Sequence, residues 1–448
     1  MQKILSLGIP LMISQLISMA LVATDVAMMA HLSVLDLAGG GLGASLFALV
    51  FLVVSSIVGC SANLMAMAFG RYHHSPTEQK QAIGKLIKGG VLLSVILSSF
   101  VVFALSFVAP FFILTGQSVA TTNIAMAYLG TLKWSVLPTI LLLILRALTG
   151  TYGQTRSILI MSIATVVINI PISYLLAFHW QMGITGLGLG TTLSACLVLF
   201  GYGFWVFAQP QFTPLAPWHS VEQYSLSLVT PLLKMGLPIA IAALLENGLI
   251  FGATFMAGSI SIAALALHQV LLQCLSFTWN INFGLAQAAA ILAGKSYGAG
   301  QMDQIKKTAM NSFTLVTLVS VILCSVFMTF PDIIRWVFQI EPHSEMHQLL
   351  NTSLWVVALC FVVDAWQLLA INLLRGMNIV LGPTVMTAIG YCGFGLPAAA
   401  MLMQGYGLVG LWAGIAIGLA LTAVLLIARM LFFFMHSPKG QIQTAQPD

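Results

Sequence analysis

Apolar runs close to the length of a membrane-crossing helix recur along this chain from residue 8 to residue 434 of 448. A helix needs about 20 such residues to cross a hydrocarbon core of ~30 Å. Backbone polar groups find no water there, so only helices and closed barrels can span it. The runs lack the alternating ~10-residue pattern of barrel strands, and helices are the expected element. Twelve spans are predicted, near 8–30, 44–68, 90–114, 124–146, 157–178, 186–208, 236–258, 262–292, 309–331, 350–374, 380–403 and 408–434. The fold class expected is an all-α membrane protein. Only 6% of the residues are charged, where soluble domains carry roughly 25%.

The basic residues predict orientation, because short cytoplasmic loops collect lysine and arginine. One side holds Lys3, Arg71, Lys80, Lys85, Lys88, Arg146, Arg156, Lys234, Lys295, Lys306, Lys307, Arg375, Arg429 and Lys439, and the other only Lys133 and Arg335. Both termini are thus expected in the cytoplasm. The formal charge of +5 reflects this topology and points to no nucleic-acid partner. The first span follows Lys3 as a signal peptide would, yet it is too long and contains Pro10 and Asp25. The six cysteines fall inside apolar spans without ligand spacing and read as small buried hydrophobes.

The chain repeats itself. "LGIP" at 7–10 matches "MGLP" at 235–238, an offset of 228 (235 minus 7). Near that offset Ala38 meets Ala266, "FG" at 69–70 meets "YG" at 297–298, "LRA" at 145–147 meets "LRG" at 374–376, and Pro171 meets Pro397. A unit with an even number of spans keeps its orientation when duplicated. Two six-helix lobes, 1–208 and 235–448, are therefore expected about a pseudo-two-fold axis along the membrane normal. The Pro-rich, polar stretch 209–234 is the expected cytoplasmic linker, and the second lobe is expected to end in a short cytoplasmic tail. Gly186 and Gly190, and Gly410, Gly414 and Gly418, have the spacing that lets helices approach closely in lipid.

Three carboxylates fall deep within spans: Asp25, Glu246 and Asp364. An acid at the centre of a spanning helix costs about 2.5–3.5 kcal/mol even on lenient scales. Glu246 and Asp364 each lie ten residues from the cytoplasmic ends of their spans, which at ~1.5 Å per residue is about 15 Å. Both are predicted near the midplane, while Asp25 lies nearer the outer face. On this map no lysine or arginine shares their depth. Burial disfavours the charged form of a carboxylate, and a second acid nearby leaves one of the two holding a proton. Such a pair can trade that proton for a cation. Asn169, Ser173 and Thr191 are candidate neighbours of Asp25, and Gln269 and Trp279 of the C-terminal pair. Each of these, taken singly, also suits a plain helix-to-helix contact.

Other signals fail. "GKSYG" at 294–298 lacks the first glycine of a phosphate loop, since Ala289 stands there and no strand precedes it. With no ATP site, transport would draw on an ion gradient. His73 and His74 suit a solvated loop, and no protease or hydrolase arrangement is apparent.

The chain resembles the MATE (multidrug and toxic compound extrusion) family, NorM-type branch. The resemblance is carried by "GIPLMISQLISMALVATDVAMMAHL", "GLPIAIAALLENG", "AQAAAILAGKSYGAGQ" and "VDAWQLLAINLLRGMN", in family order. It implies twelve helices in two six-helix lobes and export of amphipathic cationic drugs by exchange with H+ or Na+, with no other cofactor. It places the N-lobe cation site at Asp25, Asn169 and Thr191, and the C-lobe site at Glu246, Asp364 and Gln269. Two departures stand out. Ser173 replaces the usual Asn or Asp, and "NFGL" at 282–285 replaces the usual Pro-Gly, leaving a bend in the eighth span open. The rival reading is a flippase for lipid-linked glycans, which would line its cavity with Arg or Lys to hold pyrophosphate. The acids here favour the exporter. A monomer in the inner (plasma) membrane of a bacterium is expected.

Overall fold

The computed structural model describes residues 1–219 and 221–436. Lys439 and the expected tail lie outside them. The helices are α1 (Gln2–Leu32), α2 (Val34–Arg71), α3 (Pro76–Ser106), α4 (Val119–Thr151), α5 (Thr155–His179) and α6 (Gly183–Phe207) in the first half. The second half holds α7 (Leu226–Ile260), α8 (Ile262–Gly298), α9 (Met302–Thr329), α10 (Glu345–Gly376), α11 (381–406) and α12 (408–436). The last two share one uninterrupted run of helical residues, divided at Gly407 by φ 55° and ψ −133°. That backbone is closed to side chains with a Cβ, so glycine is what turns the chain there. The fold is all-α with twelve spans, as the apolar runs predict.

Serines start four of these helices. Ser33, Ser118, Ser261 and Ser344 accept hydrogen bonds from the backbone N–H groups of Asp36 (2.9 Å), Thr121 (3.1 Å), Ala264 (3.0 Å) and His347 (3.2 Å). Each such cap contributes about 1 kcal/mol. Within each unit spans alternate in direction, so Ser33 and Ser118 lie on one side of the first, and Ser261 and Ser344 on one side of the second. Ser33 and Ser261 are 228 apart (261 minus 33), the offset of the repeat.

The helices are not uniform. A single turn residue, Cys60, interrupts α2, and a 3-10 turn at Lys133–Ser135 divides α4 just before Pro138. Wide-turn π segments occupy Leu175–His179 of α5 and Ile389–Gly395 of α11, close to the repeat-related Pro171 and Pro397. A proline removes one backbone donor and crowds the preceding turn, and the π segment of α11 occupies that turn before Pro397. By contrast α8 continues through "NFGL" as one unbroken 37-residue helix.

Two compact units result, Ile13–Ala240 and a second formed by Met1–Met12 with the described residues from Ile241 on. By packing, the segment after residue 208 belongs with the first unit and the start of α1 with the second. The glycine stripes close helix pairs within each. A Cβ on Gly190 would lie 2.6 Å from Ser173 Cα, and one on Gly414 would lie 2.2 Å from Ala399 Cα. Large side chains such as Phe100, Phe204 and Phe255 are left exposed, which lipid tolerates and water would not.

Candidate functional site

The C-terminal acids stand on facing helices, and neighbouring contacts set their level. Ala242 of α7 shares an apolar cluster with Ala365 and Leu368 of α10. Two turns further along α7, Leu249 shares another with Val357 and Phe361. These helices run antiparallel, and Glu246, between the two α7 residues, acts electrostatically on Asp364. Leu249 also packs on Gly395, with 3.4 Å from its Cδ1 to the place of a Cβ there, and Gly252 packs on Leu396. α7 and α11 run parallel, which brings Tyr391 of the π segment to the same level. Glu246 and Asp364 influence each other electrostatically, and Tyr391 feels both.

The surroundings are rich in polar groups without partners. Asp364 is 3% exposed and Glu246 half-buried. The Tyr391 hydroxyl, Gln367 Oε1 and Trp279 Nε1 are buried with no hydrogen-bond partner. Trp279 interacts with Glu246 through its indole N–H without reaching full hydrogen-bond geometry. Its ring stacks on Phe283 with centroids 4.5 Å apart and planes 17° apart. An aromatic face beside carboxylates attracts flat organic cations. Gln269 is exposed and makes no hydrogen bond, and nothing in the packing joins it to the acids. Its neighbour His268 is the buried one, bonded to Thr254 Oγ1 at 3.2 Å.

One basic side chain acts on the acids from further along α10. Arg375, assigned from sequence to the cytoplasmic end of its span, is half-buried and within electrostatic reach of Glu246 and Tyr391, though not in ion-pair contact. In the first unit Arg146 behaves alike, turned toward Tyr202, whose hydroxyl shares hydrogen bonds with Thr149 (3.0 Å) and Ser157 (2.9 Å). A long side chain near a helix end can turn to the interior as well as to the rim.

The first unit carries a second polar cluster. Met29 of α1 packs with Tyr128, Ala177 and Leu187. One turn toward the terminal side of these helices stand Asp25, Ser173 and Thr191, and Asp25 acts electrostatically on Tyr128. Asn169 Nδ2 donates to Thr191 Oγ1 (3.3 Å) and to Ser194 Oγ (3.2 Å). Asp25 Oδ1, Asn169 Oδ1 and Ser173 Oγ are buried without partners. Unsatisfied buried oxygens of this kind are costly, and a small cation would satisfy them. Sequence reasoning missed Ser194, Gln367, Tyr391 and Arg375. The first sits three residues after Thr191 and the second three after Asp364, a helical spacing that signals a shared face. Tyr391 had no such signal.

Comparison with known proteins shows the family and the fold. The MatE family matches residues 10–175 and 238–401. A Mesorhizobium japonicum protein called "Probable multidrug resistance protein NorM" is 28% identical, covering 95% of this chain and 92% of its own. A Brucella suis protein of the same name is 26% identical over 95% and 91%. Among solved structures, an outward-facing MATE transporter of the MOP superfamily superposes with a TM-score of 0.87 at 17% identity, covering 97% of this chain and 96% of its own. The chain is a member of the MATE family, a multi-pass multidrug resistance transporter of the NorM type.

Proposed function

We propose that the protein is an antiporter that exports small amphipathic organic cations across a bacterial inner membrane in exchange for H+ or Na+, with both termini cytoplasmic. It works as a monomer and needs no cofactor beyond the coupling ion. The observation that carries this reading is the pair Glu246 and Asp364, electrostatically coupled to each other and flanked by the Trp279–Phe283 aromatic face. Two acids this close share a proton when empty. A drug cation or Na+ displaces that proton, and the coupling ion returning down its gradient resets the pair. One charge crossing 100 mV supplies about 2.3 kcal/mol, roughly a fifty-fold concentration ratio. The oxygens of Asp25, Asn169, Ser173 and Thr191 form a second, smaller cation site. A glycan flippase would need an excess of cations, and here Arg375 is outnumbered by acids.

The test measures drug affinity against pH for wild type, Glu246→Gln and Asp364→Asn, and efflux from vesicles under separate proton and sodium gradients. Wild-type affinity should rise with pH as the competing proton leaves. Each variant should lose driven export and alter that pH dependence. An unchanged pH dependence in both would overturn the proposal.

A further inference from the structure

Arg375 follows Asp364 by eleven residues on α10. Eleven residues are three helical turns plus about 20°, so the two share a face, some 16 Å apart along the axis. Helical side chains tilt toward the N-terminus of their helix, which sends the long Arg375 side chain back toward the acids. Its electrostatic coupling to Glu246 and to Tyr391 agrees. Gly376, next in the chain, presses on the Ala290 backbone of α8, where a Cβ would lie 2.7 Å from the Ala290 carbonyl oxygen. The base of α10 is thereby held in place.

We propose that Arg375 sets the C-terminal carboxylate site to one-for-one exchange of monovalent cations. This deepens the exporter reading above and rests on it. Two ionised carboxylates and one guanidinium leave a single negative charge. One proton on the pair makes the cluster neutral, and one monovalent cation in its place makes it neutral again. A dication, or a monovalent cation beside a retained proton, leaves an uncompensated positive charge, which a buried site resists. Without Arg375 the balance changes: neutrality then requires a dication, two protons, or a proton with a monovalent cation. The other titratable groups at the pair are Tyr391 and Cys360, both neutral hydrogen carriers within reach of Asp364. Trp279 and Gln367 add no charge. Arg375 is therefore a specificity-determining residue that acts at a distance, without touching the cargo.

Ethidium and propidium test this, since they share a ring system and carry one and two positive charges. Their binding to the purified full chain is measured by fluorescence titration, with proton release followed in weak buffer. Wild type should prefer ethidium and release one proton per dye. Arg375→Gln should shift the propidium-to-ethidium affinity ratio upward at least tenfold, while Arg375→Lys should leave it near wild type. The double variant Arg375→Gln/Asp364→Asn restores the charge balance and should restore ethidium preference. Gln367→Glu, nearly isosteric, adds a carboxylate with Arg375 intact and should raise the ratio as Arg375→Gln does, which covers a failure of that variant to fold. A ratio within twofold of wild type in Arg375→Gln, or in Gln367→Glu should the former not fold, refutes the proposal. Ethidium binding untouched by Glu246→Gln would instead refute the exporter reading, and this inference with it.

Discussion

Replacing Gly190 with alanine tests whether the close approach of α5 and α6 builds the cluster around Asn169. A Cβ at Gly190 would sit 2.3 Å from Ser173 Oγ and 2.6 Å from Ser173 Cα. Carbon atoms in van der Waals contact are about 3.5–4.0 Å apart, so α6 must retreat by about 1 Å. The bonds from Asn169 to Thr191 (3.3 Å) and Ser194 (3.2 Å) are already long, and such a retreat breaks both. Overpacking costs about 1–3 kcal/mol, and each lost hydrogen bond between membrane helices ~0.6 kcal/mol. Alanine returns about 0.5–1 kcal/mol of helix preference. The net loss is about 1–4 kcal/mol by these terms together. Gly201→Ala, on the same helix with no heavy atom within 4 Å of the new methyl, is the control and should be neutral or slightly stabilising. Thermal unfolding of the purified variants gives the stability, and ethidium efflux from energised vesicles gives the activity. Gly190→Ala should melt earlier and export more slowly than either wild type or Gly201→Ala. If it matches both in melting and efflux, the contact with Ser173 does not hold the cluster, and the reasoning fails.

Asp25→Asn keeps the shape of a buried side chain whose Oδ1 has no partner but removes its titration. It should insert and fold normally with most gradient-driven efflux lost, and near-normal efflux would make Asp25 a structural strut. Gly407→Ala meets no neighbouring atom, so its cost is the positive-φ backbone alone, about 1–3 kcal/mol. It should lower the unfolding midpoint, while Gly405→Ala, two residues away with equal space, should not; equal midpoints would show that the α11–α12 turn carries no strain.

Much of the architecture was legible in the residues because lipid imposes one dimension on the chain. Span length follows from bilayer thickness and the closed backbone ladder, and counting residues from a helix end gives depth. That count predicted one level for Glu246 and Asp364, and the offset of 228 matched Ala38 to Ala266 within helices that the structure starts at Ser33 and Ser261. Rotation about the helix axis was another matter. In water an apolar stripe marks the inner face of a helix. In lipid both faces are apolar, and α7, α8 and α10 carry almost no such stripe. Hence Gln269 was expected at the acids, while the structure leaves it exposed and buries His268 instead. Arg375 was assigned to the rim by its position in the chain, yet α10 turns it onto the face of Asp364. Tyr391 reaches the site through a π segment, a local rewinding next to Pro397 that no hydropathy pattern records. Composition and spacing thus determine how many helices cross and how deep each acid lies. Which side chains meet is decided by helix rotation, and in a membrane only packing between helices sets that rotation.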